Sequence, residues 1–437
     1  MTNDDVDLDP TGRDVEGSAK CPFDPSSIDP LAPGQIASPY DALAVAREEA
    51  PVFVMPSSGS WCVTRWRDVR EVLSNSRVFS SAQMVRRWPP PPETAADLPD
   101  GHPMEGALVS IDPPRHDRIR RLAQKAFTPG LVAAREPAIR QIADGLVDRF
   151  VDRGSVNLVE MYCSQIPPAV VAQLLGVPPE DGEIFQRWAL DAHHLAFSPP
   201  HLEPDELLHL SRVMVDFDQY LRALIAARRE SPQDDLTSYL VHAETEEGDP
   251  QLTDAELRGV IADIVTAGSE TTVTLIGSTM YLLLTHPDEL AAVTADRTLV
   301  PAALEEALRL LPPARALPRT TRSVTEMESI EISEGGTMYA SIAAANRDPD
   351  VFPDPDRFDI YRTNTKRHLS LGVGTHFCLG APLARLEAQV AVDTLLDRIP
   401  SLRLRSGYEL TDDKYERNAF IPSLTSLEVE WRLSVDS

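Results

Sequence analysis

The stretch HLSLGVGTHFCLGAPLAR, residues His368–Arg385, decides the fold of this chain. Glycine permits a positive φ and a close approach of the backbone, so its glycines indicate a flat or bulky group lying against the main chain. From Ala381 onward, apolar residues recur at helical spacing and predict a helix. The loop therefore enters a helix at its cysteine, where backbone N–H groups and the positive helix end favour a thiolate. The cysteine and glycines concerned are Cys378, Gly372, Gly374 and Gly380.

The glycines and the cysteine are not decisive by themselves. Phe377 stands where the dinucleotide-binding pattern G-x-G-x-x-G requires its last glycine, and an isolated cysteine is usually a small buried apolar residue. The whole segment, however, resembles the haem-binding loop of the cytochrome P450 family, F-x-x-G-x-H/R-x-C-x-G, with Leu371 in place of the phenylalanine. The resemblance implies haem b as cofactor and the Cys378 thiolate as the axial ligand of its iron. The residues implied to contact the haem here are Gly372, His376 and Gly380.

A long apolar segment carries the second motif. Residues 252–286 predict the longest helix, with Thr253 as its cap. Its middle reads AGSETT, and a carboxylate with hydroxyls inside a buried helix is costly unless the groups are satisfied or used. The hydroxyls could bond back to carbonyls one turn earlier, and Glu270 could pair with an arginine. Gly268 also permits a kink. The segment resembles the family signature A-G-x-E/D-T, which implies a dioxygen groove at Ala267 and Gly268, and proton delivery by Glu270 and Thr271.

A basic helix is predicted between residues 113 and 127, PPRHDRIRRLAQKAF, with prolines at its start. An ordinary solvated helix would account for it. His116 and Arg120 lie four residues apart and share a face, and the family resemblance implies that this pair binds haem propionates. By family spacing, Arg319 is the third propionate ligand and Arg322 the fallback.

A further family motif, E-x-x-R, is matched by Glu306 and Arg309 in a helix predicted over 301–311. Such pairs are common on helix surfaces and weak by themselves. The resemblance implies a buried triad completed by Arg357 from the loop PDPDRFD. We expect the triad to be structural and not catalytic.

Composition limits the class of protein. Among 437 residues, 41 are basic and 68 acidic, and the formal charge of −27 argues against binding nucleic acid. Four scattered cysteines do not predict a disulfide framework or a zinc site. The acidic, polar N-terminus does not read as a secretion signal. No stretch of about 20 uncharged apolar residues predicts a membrane span. We therefore expect a cytoplasmic protein without a membrane partner.

The motifs together predict a mainly α fold with a small β-rich subdomain, similar to cytochrome P450, with a long central helix over the haem and a cysteine-ligand loop. Residues 1–30 should form a flexible N-terminal tail, and residues 31–437 a single haem-thiolate monooxygenase domain. A β-hairpin is expected at 52–55 and 61–64, and a small sheet over 320–332 and 337–342.

The expected function is a haem-dependent monooxygenase that uses O2 to hydroxylate or oxidatively dealkylate a small or medium-sized apolar molecule. Electrons would come from a separate ferredoxin or flavodoxin with its NAD(P)H-dependent reductase. Two alternatives remain: a peroxide-driven peroxygenase and a non-enzymatic haem-thiolate sensor or carrier. The acid–alcohol pair argues against both. A basic patch on the cysteine side would steer an acidic carrier: Arg118, Arg121, Lys125, Lys366, Arg367 and Arg385.

The substrate pocket has weaker signals in the sequence. The long irregular segment 80–109 should roof it, and 176–230 should contain a lid. Arg315 would anchor an acidic substrate group or, more simply, face solvent. The pocket candidates are Asp263, Ala267, Arg315, Ala316, Leu317 and Ile421.

Overall fold

The computed structural model describes residues 35–85, 88–98, 101–197, 202–243, 251–416 and 420–433. The expected N-terminal tail, residues 1–30, lies outside these ranges. Within them, helices predominate and the strands are short, which confirms a mainly α fold with a small β-rich part.

The helices follow the apolar periodicity of the sequence, and most begin or end at a proline, a glycine or a capping side chain. In chain order they are α1 Tyr40–Glu49, α2 Trp66–Ser74, α3 Arg115–Gln124, α4 Pro129–Ala133, α5 Glu136–Asp148, α6 Ile166–Leu175, α7 Gly182–Phe197, α8 Pro204–Glu230, α9 Leu236–Val241, α10 Asp254–Thr285, α11 Pro287–Ala295, α12 Val300–Leu310, α13 Ile342–Ala345 and α14 Ala381–Arg398.

The strands form three small sheets. A five-stranded sheet has the order β1-β2-β8-β5-β3, with β2 and β8 parallel and the other neighbours antiparallel; β4-β10-β9 and β6-β7 are the other two. The strands are β1 Val52–Val54, β2 Trp61–Val63, β3 Phe79–Ser80, β4 Ser155–Asn157, β5 Ala316–Thr321, β6 Thr325–Met327, β7 Ile330–Ile332, β8 Thr337–Ser341, β9 Arg403–Leu404 and β10 Glu428–Glu430.

The hairpin predicted near residues 52–64 is confirmed as the antiparallel pair β1 and β2. The sheet predicted over 320–332 is only partly correct. Strand β5 begins earlier, at Ala316, and Thr325–Ile332 folds into its own hairpin, β6-β7, instead of joining the larger sheet. Glu328 and Ser329 at the turn of this hairpin have positive φ, which reverses the chain there.

Helix α10 is the centre of the molecule. Thr253 caps it in a capping box, since its hydroxyl accepts from Glu256 N–H while the Glu256 carboxylate accepts from Thr253 N–H. Most of its residues are buried and belong to the main apolar core. Burial on nearly every face fits a helix surrounded by others, because each buried Leu, Ile or Val contributes about 1.5–3 kcal/mol. Among the described residues, α10 alone has the length and apolar composition of a membrane span, and 72% of that window is buried inside the protein.

The close approach of α10 to its neighbours depends on glycine. A Cβ on Gly259 would lie 2.7 Å from the Gly106 backbone, and one on Gly277 would lie 2.6 Å from a Leu424 methyl carbon. A side chain on Gly259 would clash with rigid backbone, and one on Gly277 would force the Leu424 side chain to move. The 103–110 segment and the C-terminal segment around Leu424 are thereby held directly on α10.

Candidate functional site

The backbone of the cysteine loop requires glycine at two positions. Gly372 and Gly374 have φ values of +70° and +71°, and a Cβ on Gly374 would lie 3.1 Å from Ser74 Cα. The Cys378 N–H donates to the Leu371 carbonyl at 2.8 Å, which closes the loop. Helix α14 begins at Ala381, as predicted from the periodicity. The loop therefore presents Cys378 at the entrance to α14.

The electrostatics of Cys378 combine two opposing effects. Burial raises the pKa of its thiol, whereas the Gly380 N–H and the guanidinium groups of Arg120 and Arg385 lower it. The effect of burial is the larger, so the pKa of the Cys378 thiol is raised overall. A bound metal cation would stabilise the thiolate that burial disfavours.

Four basic side chains predicted to bind an anionic group lie close together beside Cys378. The rings of His116 and His376 are 4.3 Å apart, and the Nε2 atom of each is buried without a hydrogen-bond partner among the described residues. Arg120 donates to the Phe377 carbonyl at 2.6 Å. Arg319 is buried and donates to the Pro318 carbonyl at 2.8 Å and weakly toward the Met84 sulfur.

These groups act on one another's protonation. Burial, followed by the charges of Arg319, His116 and Arg120, lowers the pKa of His376 to about 3. Burial lowers the pKa of Arg319 to about 10, opposed by the charge of Asp112. Two arginines lie beside two imidazoles here, and among the described residues the one carboxylate paired with this group is Asp117, 3.0 Å from His116 Nδ1. One carboxylate does not balance both guanidinium groups, so the arrangement fits a site for negatively charged groups.

Helix α10 opens on one side at its middle. Ala267 is exposed and Gly268 and Thr271 are partly exposed, although their neighbours Thr266, Ser269, Glu270 and Thr272 are buried. Residues i, i+1 and i+4 share a helix face, so a space lies against this face. Gly268 has a packing reason as well, because a Cβ there would lie 3.3 Å from Val171 of α6.

The two proton-delivery candidates differ in their surroundings. The Thr271 hydroxyl donates to the Ala267 carbonyl at 2.7 Å, the back-bond that the sequence left open as an alternative. The α-helix continues across Gly268 without interruption. Burial raises the pKa of Glu270 to about 7, with the Ser423 hydroxyl lowering it and the charge of Glu416 raising it further. Among the described residues, no arginine contributes to the pKa of Glu270, which argues against the ion-pair alternative.

The residues present fit a haem. The Nε2 atoms of His116 and His376 have no partner among the described residues, and Arg120 and Arg319 donate only to uncharged groups there, so these four side chains can hold two propionates. A Cβ added at Gly380 would meet nothing within 4 Å, which leaves room beside the thiol for a flat group. Cys378 supplies the soft ligand that iron takes in haem-thiolate proteins.

The predicted structural triad needs one correction. Glu306 and Arg309 form a fully buried ion pair, with Arg309 Nη2 at 2.7 Å from Glu306 Oε1. The third side chain is that of Arg362, whose Nε lies 2.9 Å from the same oxygen. Arg357 is exposed and offers only its carbonyl to Arg309. The turn before Arg362 directs backbone carbonyls at Arg309, which sends the Arg357 side chain outward.

A second carboxylate holds the cysteine loop and was missed from the sequence. Glu305 lies 3.1 Å from His368 Nε2 and 2.5 Å from Arg385 Nε, so it joins both ends of the stretch 368–385 to α12. Burial opposes its ionisation, but the hydrogen bonds from His368 and Arg385 outweigh burial and lower the pKa of Glu305 to about 2. The motif E-x-x-R pointed to the neighbouring Glu306. No sequence spacing links Glu305 to His368 and Arg385.

The pocket candidates have different environments. Ala316 and Ile421 are buried and Leu317 is partly buried. Asp263 Oδ2 accepts from Val109 N–H at 3.2 Å, and burial raises the pKa of this carboxyl to about 7, opposed by the N–H groups of Val109 and Leu108. The expectation that Arg315 faces solvent is wrong: the side chain is buried with its guanidinium over the Tyr415 ring at 4.9 Å.

The basic patch is smaller than predicted. Arg385 is paired with Glu305, and Arg118 is paired with Glu256 of the α10 capping box. Arg367 lies over the Trp66 ring, with its guanidinium 4.9 Å from the ring centre. These side chains have structural partners that the sequence did not reveal.

Comparisons with known proteins agree with this geometry. The sequence model of the family described as Cytochrome P450 matches residues 184–400. The cytochrome P450 monooxygenase PikC of Streptomyces venezuelae is 39% identical over 417 residues, which cover 93% of this chain and 95% of that protein. The chain belongs to the cytochrome P450 family. The 6-deoxyerythronolide B hydroxylase of Saccharopolyspora erythraea is 35% identical over 400 residues, covering 89% of this P450 and 95% of the hydroxylase.

The three-dimensional fold agrees as well. A solved cytochrome P450 from Chondromyces apiculatus matches 94% of this P450 and 99% of its own chain, at 36% identity and a TM-score of 0.81. The P450 is thus a haem-dependent monooxygenase with the fold that the sequence predicted.

Proposed function

We propose that this P450 binds haem b through Cys378 and inserts oxygen into a medium-sized, mostly apolar organic substrate, with Glu270 and Thr271 delivering protons. The bound haem supplies the iron centre that activates dioxygen, so that one oxygen atom enters the substrate and the other leaves as water. His116, Arg120, Arg319 and His376 would hold its propionates. The chain's own contribution is to bind, orient and supply protons.

One observation supports the proton-delivery role most strongly. Glu270 is buried, and this burial raises the pKa of its carboxyl to about 7. The next residue, Thr271, lies on the open face of α10. A carboxyl that titrates near neutral pH can both hold and release a proton there. The Thr271 hydroxyl can rotate from the Ala267 carbonyl toward the open face, where it would donate a hydrogen bond and help hold a water for proton transfer.

Product yield per electron tests this role. Thr271→Ala and Glu270→Gln should keep electron consumption but divert it to peroxide, with roughly a hundredfold loss in product rate for the acid. Thr285→Ala is the matched control, because Thr285 makes the same back-bond in the same helix, to the Tyr281 carbonyl at 2.8 Å, at the far end. Unchanged yield in both site variants would contradict the assignment.

The electron donor in this proposal is a ferredoxin or flavodoxin served by an NAD(P)H-dependent reductase, which fits a cytoplasmic location. Lys366 and Arg367 are exposed just before the cysteine loop and would attract an acidic carrier. Lys366→Glu should slow reduction at low salt and have less effect at high salt. If Lys366→Glu were reduced as fast as wild type at both salt concentrations, the carrier would dock on another surface.

The substrate in this proposal resembles those named in two relatives. One is the hydroxylase described above; the other is the mycinamicin IV hydroxylase/epoxidase of Micromonospora griseorubida, 37% identical over 392 residues. The mostly apolar pocket candidates Ala267, Ala316, Leu317 and Ile421 support a substrate of low polarity. 6-Deoxyerythronolide B and mycinamicin IV are therefore the first compounds to titrate. A shift of the haem absorption band on binding would support this class.

A peroxide-driven reaction and a sensor role predict different outcomes. A peroxygenase would form product from peroxide alone at the rate seen with reduced carrier. A sensor would consume no reduced carrier with any substrate. We expect neither result, because a buried acid next to an alcohol on the open face of α10 is suited to proton delivery, which neither alternative uses.

A further inference from the structure

We propose that Ser423 positions the Glu270 carboxyl and that protons reach it from solvent by way of Glu416, which pairs with Ser423 through the backbone. This inference rests on the proposed role of Glu270 and adds the route by which that residue is recharged. Ser423 is then a positioning residue, and Glu416 is the outer end of the path.

Two short stretches near the C-terminus, residues 415–416 and 423–424, pair with each other, and the second of them lies against α10 beside Glu270. Tyr415 and Leu424 form an antiparallel bridge, and Glu416 N–H donates to the Ser423 carbonyl at 2.9 Å. Leu424 N–H donates to Thr274 Oγ1 at 3.3 Å, one helical turn after Glu270. The Leu424 side chain fills the space left by Gly277, two turns after Glu270. Ser423 is thus held at the turn of α10 that carries the acid.

The Ser423 hydroxyl is committed to no other group. Ser423 is buried, and its Oγ has no well-formed hydrogen bond to any described residue. It lies beside the Glu270 carboxyl and favours its ionised form. A buried hydroxyl without a partner is costly, and the carboxyl of Glu270 is the group beside it that can complete a hydrogen bond.

Glu416 connects this buried pair to solvent. It is exposed, it pairs with Ser423 across the bridge, and its negative charge acts on Glu270. Other elements packed on α10 carry titratable groups: His193 on α7, Glu387 on α14, and the Glu306–Arg309 pair on α12. None of these contributes to the pKa shift of Glu270. Among the described residues, Glu416 is the charged group to which Glu270 responds.

The proton transfer balances without any other reactant. A proton from the Glu416 carboxyl, carried by water, moves to Ser423 Oγ as the Ser423 O–H gives its own proton to the Glu270 carboxylate. At Ser423 Oγ one O–H bond breaks and one forms, so the hydroxyl is restored, and the O–H bond lost at Glu416 is matched by the one formed at Glu270. Glu416 then takes a new proton from solvent.

Ser423 lowers the pKa of Glu270 and Glu416 raises it, so variants of the two residues should shift it in opposite directions. The experiment measures the pH midpoint of the Glu270 carboxyl by infrared difference spectroscopy on the haem-loaded protein, with the band identified by its loss in Glu270→Gln. Ser423→Ala should raise the midpoint, because it removes a hydrogen bond to the ionised form. Glu416→Gln should lower the midpoint, because it removes a like charge. Ser423→Thr should keep the wild-type value.

The same variants are then compared for product formed per electron consumed. Ser423→Ala should lose roughly tenfold in yield, the scale of one hydrogen bond to a charged group. Glu416→Gln should also lower the yield, because it removes the outer proton donor. Ser423→Thr should restore the yield. Glu409→Gln, which removes an exposed acid of the same C-terminal region that does not act on Glu270, should change neither readout.

Each outcome decides something. If Glu270→Gln uncouples the reaction while Ser423→Ala and Glu416→Gln leave midpoint and yield unchanged, the proposed function stands and this route is wrong. If Glu270→Gln has no effect on yield, both are overturned. If Ser423→Ala does not fold, Glu416→Gln alone decides, since a surface variant that leaves the midpoint unchanged also overturns the route.

Discussion

The Nε atom of Arg362 lies 2.9 Å from Oε1 of Glu306, and this contact completes the buried charge cluster beneath the cysteine loop. Arg362 also donates to the Pro353 carbonyl at 2.6 Å, so one side chain joins the loop 353–362 to α12. Arg309 spans the same loop by donating to the carbonyls of Pro355 and Arg357.

Removing the Arg362 side chain should therefore strongly destabilise the protein. Arg362→Ala leaves the fully buried Glu306 with one cation instead of two, and we expect a loss of about 3 kcal/mol or more in the free energy of unfolding. Arg357→Ala is the matched control and should change it by less than about 0.5 kcal/mol, because that side chain is exposed. Urea denaturation of both variants makes the comparison, and equal losses would contradict the corrected triad.

The ion pairs of Glu305 should make stability depend on pH. Its folded pKa of about 2 lies below the ordinary 4.5, so its contribution is complete above pH 4.5 and is lost as the pH falls toward 2. With partial exposure of Arg385 taken into account, the contribution is on the order of 2 kcal/mol. Denaturation of wild type and Glu305→Gln should differ at pH 7 and converge in acid. A difference that grew in acid would contradict this sign.

The contact between Gly259 and Gly106 should resist any side chain. Gly259→Ala places a Cβ 2.7 Å from the Gly106 backbone, and we expect a loss of about 1–3 kcal/mol in the free energy of unfolding. Gly145→Ala in α5 is the control, because nothing lies within 4 Å of its Cβ position. That change should stabilise the protein by about 0.5–1 kcal/mol. Stabilisation by both would show that the 103–110 segment is not packed tightly on α10.

Arg319 should contribute to holding the haem, and Arg322 should not. Arg319 is buried and pairs with no carboxylate among the described residues, whereas Arg322 is paired with Asp112 at 2.5 Å and donates to the Ser76 carbonyl. Arg319→Ala should speed haem loss to an apoprotein acceptor by about tenfold or more, the scale of a charge-assisted hydrogen bond. Arg322→Ala should leave the rate near that of wild type. The reverse order would exchange the two assignments.

The sequence predicted what depends on local pattern. Helix α10, its Thr253 cap and the start of α14 after Cys378 follow from periodicity and capping residues, and the structure confirms them. The basic side chains of α3 and the cysteine loop were found because their spacing matches a family motif. Periodicity, capping and motif spacing could predict these features because each involves residues within a few positions of one another.

The errors and omissions concern residues brought together over long separations. Arg357 and Arg362 are both arginines of one loop, and the choice between them depends on which way a turn directs its carbonyls. Glu305 meets His368 and Arg385 only once α12 and the cysteine loop are packed. Ser423 reaches Glu270 from the far end of the chain. None of these contacts has a sequence spacing that could reveal it.

The absorption spectrum of the ferrous carbon-monoxide complex tests the central claim most directly. With the Cys378 thiolate opposite the gas, the main haem band should lie at the long wavelength characteristic of sulfur ligation, and Cys378→His should move it to the shorter wavelength of imidazole ligation. A wild-type band already at the imidazole position, or a purified protein that takes up no haem, would contradict the account.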